Sequence, residues 1–120
     1  MRRVLPVLTA LSVAACGGAS PSSPSTGGAT VTITSAGVSS AQINVVQGSR
    51  VTFVNNDTRA HNMTSDPHPE HTDCPEINQV GFLAAGQSRE TGNLVTARTC
   101  GFHDHDDPGA TTLQGSIVIK

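Results

Sequence analysis

Between Thr30 and Lys120, no window of helical length places apolar residues at a period of 3.6. What recurs is the short run at period two. Thr30-Val31-Thr32-Ile33-Thr34 alternates polar and apolar residues, the pattern of a half-buried strand. Arg50-Val51-Thr52-Phe53-Val54-Asn55 alternates again, with Val51 and Phe53 on one face. Ile43 to Val46, Ala60 to Thr64, Gln87 to Leu94, Val95 to Phe102 and a closing Gly115 to Lys120 supply further strand-length segments. Gln47-Gly48-Ser49, Asn56-Asp57 and Pro108-Gly109 separate them with turn chemistry. Six or seven short strands between turns predict an all-β sandwich or barrel. Pro67 and Pro69 forbid regular pairing where they stand, so residues 65–80 read as one long loop.

The segment before Thr30 reads differently. Arg2-Arg3 precede an apolar stretch, Val4 to Ala14, that is too short to span a bilayer. Val13-Ala14-Ala15-Cys16 resembles the lipobox of bacterial lipoproteins, in which cleavage precedes a cysteine that is then lipidated. The sequence is thereby divided into a signal peptide at 1–15, a Ser/Pro/Gly tether at 16–29 and a single domain at 30–120. This division implies a domain outside the cytoplasm, held to a membrane through lipid on Cys16.

Without Arg2 and Arg3, five basic and nine acidic side chains leave a net charge of −4. No basic patch exists, which argues against a nucleic-acid partner. Trp and Tyr are absent, and Phe53, Phe82 and Phe102 are the only aromatics of that class. A core so small is commonly stapled. With Cys16 lipidated, Cys74 and Cys100 remain as an even pair in an oxidising compartment, the arrangement of a disulfide.

The five histidines fall in two segments. His61, His68 and His71 occupy one, and His103 and His105 the other, beside Asp104, Asp106 and Asp107. Two loops that bring imidazoles together most often do so for a metal. His103 and His105 stand two apart and share a face if the strand continues. His61 and Met63 do the same, and core packing is the usual role for such a methionine. The carboxylates are either acceptors that orient imidazoles or solvated loop charges. No Gly-x-Ser-x-Gly elbow or phosphate loop is present, and the sequence shows no catalytic set.

Three stretches resemble a known family. Gly48 to Asp57 followed by His61-Asn62-Met63-Thr64-Ser65 is similar to the first half of a cupredoxin. Phe82-Leu83-Ala84-Ala85-Gly86-Gln87-Ser88 resembles that family's turn into its next strand, and Leu113-Gln114-Gly115-Ser116-Ile117-Val118-Ile119 resembles its ending. The resemblance implies a Greek-key β-sandwich of about seven strands, copper as cofactor, and His61 as the first copper ligand. Two alignments of the remaining site are open. In one, Cys100 and His103 join His61 in a blue type 1 centre, with Leu113 where an axial Met belongs. In the other, Cys100 and Phe102 alternate toward the core, and Asp104 takes the position of the ligand cysteine. Cys100 then pairs with Cys74, and the copper set is His61, His103 and His105 in a colourless type 2 site, with His68 and His71 as weaker candidates. Cysteine parity and the need for a staple favour the second.

Two functions follow as expectations. The first is a copper carrier or electron-transfer module, not an enzyme, with a redox or copper-delivery partner protein. The second is a metal-free sandwich that displays loops to a partner. Clustering of the histidines favours the first, because loss of a site should scatter its ligands.

Overall fold

The computed structural model describes residues 28–120; the expected signal peptide, most of the tether and Cys16 lie outside the described residues. Nine strands and two short 3-10 helices make up the described chain. The strands are β1 (Ala29–Thr34), β2 (Gly37–Val38), β3 (Gln42–Val45), β4 (Val51–Asn55), β5 (His61–Ser65), β6 (Gly81–Leu83), β7 (Ser88–Glu90), β8 (Arg98–Asp104) and β9 (Gly115–Ile119). They form a four-stranded sheet in the order β2-β1-β4-β7 and a five-stranded sheet in the order β3-β9-β8-β5-β6. Both sheets are mixed, since β1 pairs parallel to β4 and β3 parallel to β9. The architecture is the expected all-β sandwich, with two more strands than expected because β2, β6 and β7 are only two or three residues long.

Alternation decides which side chains enter the core. Val31, Ile33, Val51 and Phe53 point inward from the first sheet, and Met63, Leu83, Cys100, Phe102, Ile117 and Ile119 from the second. The Phe53 and Phe102 rings join the two layers edge-to-face, with centroids 5.2 Å apart.

Three local differences from the sequence reading bear on the site. Gln87 to Leu94 is strand only at Ser88–Glu90, and Leu94 forms a lone bridge to Ser49. The next strand starts at Arg98 and runs to Asp104, because His103 and Asp104 continue the ladder opposite Thr64 and Met63. The loop after β5 contains a 3-10 helix at Pro75–Gln79, opened by its proline and anchored by buried Ile77.

That loop is fastened at several points. Cys74 is bonded to Cys100 on β8, with Cα atoms 5.7 Å apart, well within disulfide range. The Ser65 hydroxyl accepts the Cys74 amide at 2.8 Å, and the Asn78 side chain accepts the Ser65 amide and donates to the His71 carbonyl, each at 2.8 Å. The Asp66 amide donates to the Gly101 carbonyl at 3.0 Å. Residues 66–73 are therefore laid across the outer face of β8.

Candidate metal centre

The register of β5 against β8 sorts the histidines. Thr64 pairs with His103 and Met63 with Asp104, so His103 shares the outer face with Thr64, while Asp104 shares the inner face with Met63 and His61. Beyond the strand end, the His105 amide donates to the Asn62 carbonyl at 2.7 Å, which keeps His105 on the outer side with His103. The set expected from the sequence, His61 with His103 and His105, is therefore not brought together. His61 lies on the opposite face of the same sheet, and no single ion reaches all three.

The structure joins His103 and His105 to His68 and His71 instead. Nitrogen atoms of His68, His71 and His105 all lie within 4.8 Å of one another. Ring centroids are 5.4 Å apart for His68 and His71, 5.2 Å for His68 and His105, and 4.9 Å for His71 and His105. His103 stands 5.0 Å from His71 and 5.5 Å from His68 by the same measure. His68 and His105 are exposed, His71 is half-buried and His103 is buried.

Hydrogen bonds orient two of these rings. His71 Nδ1 donates to the Ser65 carbonyl at 2.8 Å, which leaves its Nε2 lone pair facing His105 Nδ1 at 2.9 Å. His71 itself sits at φ 55°, a left-handed conformation rare outside glycine, and its own carbonyl is held by Asn78. His103 Nδ1 donates to Asp66 Oδ1 at 2.6 Å. Asp66 reaches that position because Gly101 has no side chain; a Cβ there would strike its carboxylate. A ring whose far N–H is held by a carbonyl or carboxylate is the usual form of a metal-ligating histidine.

The donor set fits a metal ion. Imidazole nitrogens about 2.1 Å from one ion in a tetrahedral arrangement are about 3.4 Å apart. His71 and His105 are already closer than that, and an ion would replace the hydrogen between them. Desolvation holds the His68 imidazole below its ordinary pKa, and repulsion from His105, His103 and His71 adds to this. Both causes favour the neutral ring that a metal requires.

The inner face holds a different group. His61 Nδ1 lies 2.7 Å from Asp104 Oδ2, and its Nε2 lies 2.9 Å from Asp57 Oδ2. All three side chains are at most 5 % exposed. Each ring nitrogen is thus taken by a carboxylate oxygen, and neither is turned toward a place where a metal could sit without displacing one. The bond from His61 holds the Asp57 carboxyl below the usual carboxylate range, helped by the Thr58 amide and Arg59 and opposed by desolvation. Cys100, the thiolate of the blue-copper alignment, is consumed in the disulfide, which corrects its candidacy as a ligand. Asp106 and Asp107 are exposed, whereas Asp104 is buried. The sequence reading did not single out Asp57 or Asp66; Asp57, four residues before His61 in a turn, carried the only local signal.

Solved structures of similar shape include the purple cupredoxin of Nitrosopumilus maritimus, which matches at TM-score 0.60 and 16% identity over 77% of this chain and 99% of that one. A mutant amicyanin with Cu(I) matches at 0.62 and 18% identity, over 78% and 83% of the two chains. The fold is that of the cupredoxins. Plastocyanin from Dryopteris crassirhizoma shares it at TM-score 0.60 and 18% identity, over 76% of this chain and 99% of the other. No family model and no curated protein matches the sequence. In this cupredoxin sandwich, the imidazoles converge on the outer face of the five-stranded sheet.

Proposed function

We propose that the protein is an exported, lipid-anchored copper-binding protein of the carrier type, holding its ion at His68, His71 and His105 with His103 alongside. The observation that carries this reading is the convergence of three imidazole nitrogens within 4.8 Å, one from just past the end of β8 and two from a loop that a disulfide and five hydrogen bonds hold in place. Imidazole suits zinc, nickel and copper alike; copper stands highest in divalent affinity, and the likeness to cupredoxins supports the choice. When bound, copper would supply one-electron chemistry or be passed to a partner. Exposed His68 and His105, with no thiolate at the cluster among the described residues, suit delivery better than fast electron transfer. Lipid on Cys16 would anchor the domain on the extracytoplasmic side of a membrane, with the chain between Cys16 and β1 as its tether.

Calorimetry and EPR on the purified full-length protein test the metal reading. One Cu(II) should bind at neutral pH, nearly colourless, with a normal type 2 splitting and imidazole nitrogen couplings. His68→Ala, His71→Ala and His105→Ala should each weaken binding by more than the roughly 10–100-fold that loss of an outer hydrogen-bond partner costs. An intense copper–thiolate colour, or no uptake of Cu(II), would sink the proposal. Membrane retention of Cys16→Ser equal to that of the wild type would count against the anchor.

A further inference from the structure

Asp57, His61 and Asp104 form a buried titratable cluster apart from the metal face, and ion binding leaves them unused. The two carboxylates stand at opposite edges of the His61 ring, one on each nitrogen. An ion placed at either nitrogen would displace one carboxylate and could not reach the other. With side chains at most 5 % exposed, the displaced carboxylate would be left buried without its partner, a costly state.

The bonds continue outward from Asp104. Its Oδ1 accepts the Asn62 amide at 3.1 Å and the Asp106 amide at 3.0 Å, closing the turn that follows β8. Asn62 in turn accepts the His105 amide on its carbonyl at 2.7 Å. Strand alternation converts a fixed inner side chain into fixed outer neighbours, so an anchored Asp104 sets the roll of the chain at His103 and His105.

We propose that Asp57–His61–Asp104 is a positioning device for the metal face and not a second metal site. His61, hydrogen-bonded through both nitrogens, holds Asp104 from inside the sandwich, and Asp104 holds the strand end that presents His103 and His105 outside. The chain then carries one ion rather than two. The link to metal affinity rests on the function proposed above; the hydrogen-bonded state of His61 does not.

Nitrogen NMR and zinc calorimetry on the full-length protein test this, with Zn(II) as a diamagnetic probe. Both His61 ring nitrogens should show shifts of hydrogen-bonded groups that do not change on adding Zn(II), and one ion should bind. His61→Gln should still bind one ion, about tenfold more weakly, as expected for loss of an orienting partner. Its His105 resonances should also respond differently to zinc. Val31→Ala, which removes core volume from the other sheet, should lower the melting temperature without changing affinity. If His61→Gln does not fold, Asp57→Ala removes the partner of one ring nitrogen, keeps Asp104 and should show the same loss. A change of a His61 ring-nitrogen shift to that of a zinc-bound nitrogen, or loss of the bound ion in His61→Gln, would make His61 a ligand and overturn the proposal. Affinity equal to that of Val31→Ala would reduce the triad to a stability role and overturn it as well. A wild-type protein that takes up no ion refutes the proposed function, while the hydrogen-bonded state of the His61 ring nitrogens, read without metal, still decides the triad.

Discussion

Replacing both Cys74 and Cys100 with alanine should cost this protein much of its stability. The bridge joins residues 26 apart in sequence and ties the loop carrying His68 and His71 to the strand carrying His103. In the chain-entropy treatment, releasing a loop of that length frees about 3.5 kcal/mol of unfolded-state entropy at 25 °C. For a domain of this size, each kcal/mol moves the melting midpoint by about 4–8 °C, so the double variant should melt about 14–28 °C lower. Both cysteines are fully buried, and losing their sulfurs acts in the same direction. Scanning calorimetry and urea denaturation of the two proteins measure the difference. The urea dependence should also steepen, because the unbridged chain exposes more surface when it unfolds. Copper affinity should fall too, since the ion must then order the loop itself. A stability loss below about 1 kcal/mol would show that the bridge does not constrain the unfolded chain, and would refute the staple argument.

Acid should act through Asp57. Its carboxyl is held below the ordinary aspartate value of about 3.8, chiefly by His61, so it binds a proton less readily in the folded state than in the unfolded one. The stability it contributes is therefore fully present above about 3.8 and is lost as pH falls through the lowered folded value. Asp57→Asn should flatten that acid limb in denaturation measured across pH; superimposable limbs would show that the pairing is absent in solution. Gly101→Ala should push Asp66 off His103, cost about 1–3 kcal/mol of stability as an overpacked site, and weaken copper binding in calorimetry. Unchanged copper affinity would mean that the Asp66–His103 pair does not serve the site.

The strands, the inward set of Val31, Ile33, Val51, Phe53, Cys100 and Phe102, and the pairing of Cys74 with Cys100 were legible in the sequence. Each depends on local alternation or on counting, and period two is a property of the strand itself. That His103 and His105 share a face was legible for the same reason. Their partners were not. Whether His61 meets His103 depends on the register of β5 against β8, and a slip of one residue would exchange the faces. The ladder that pairs Thr64 with His103 sends His61 inward to Asp57 and Asp104. The metal face was decided equally far from the local sequence. Asp66 lies 37 residues from His103, and His71 lies 34 from His105, and only the fastened loop brings them within bonding distance. A sequence records which imidazoles exist and which side of a strand they take, whereas strand pairing decides what stands opposite each of them.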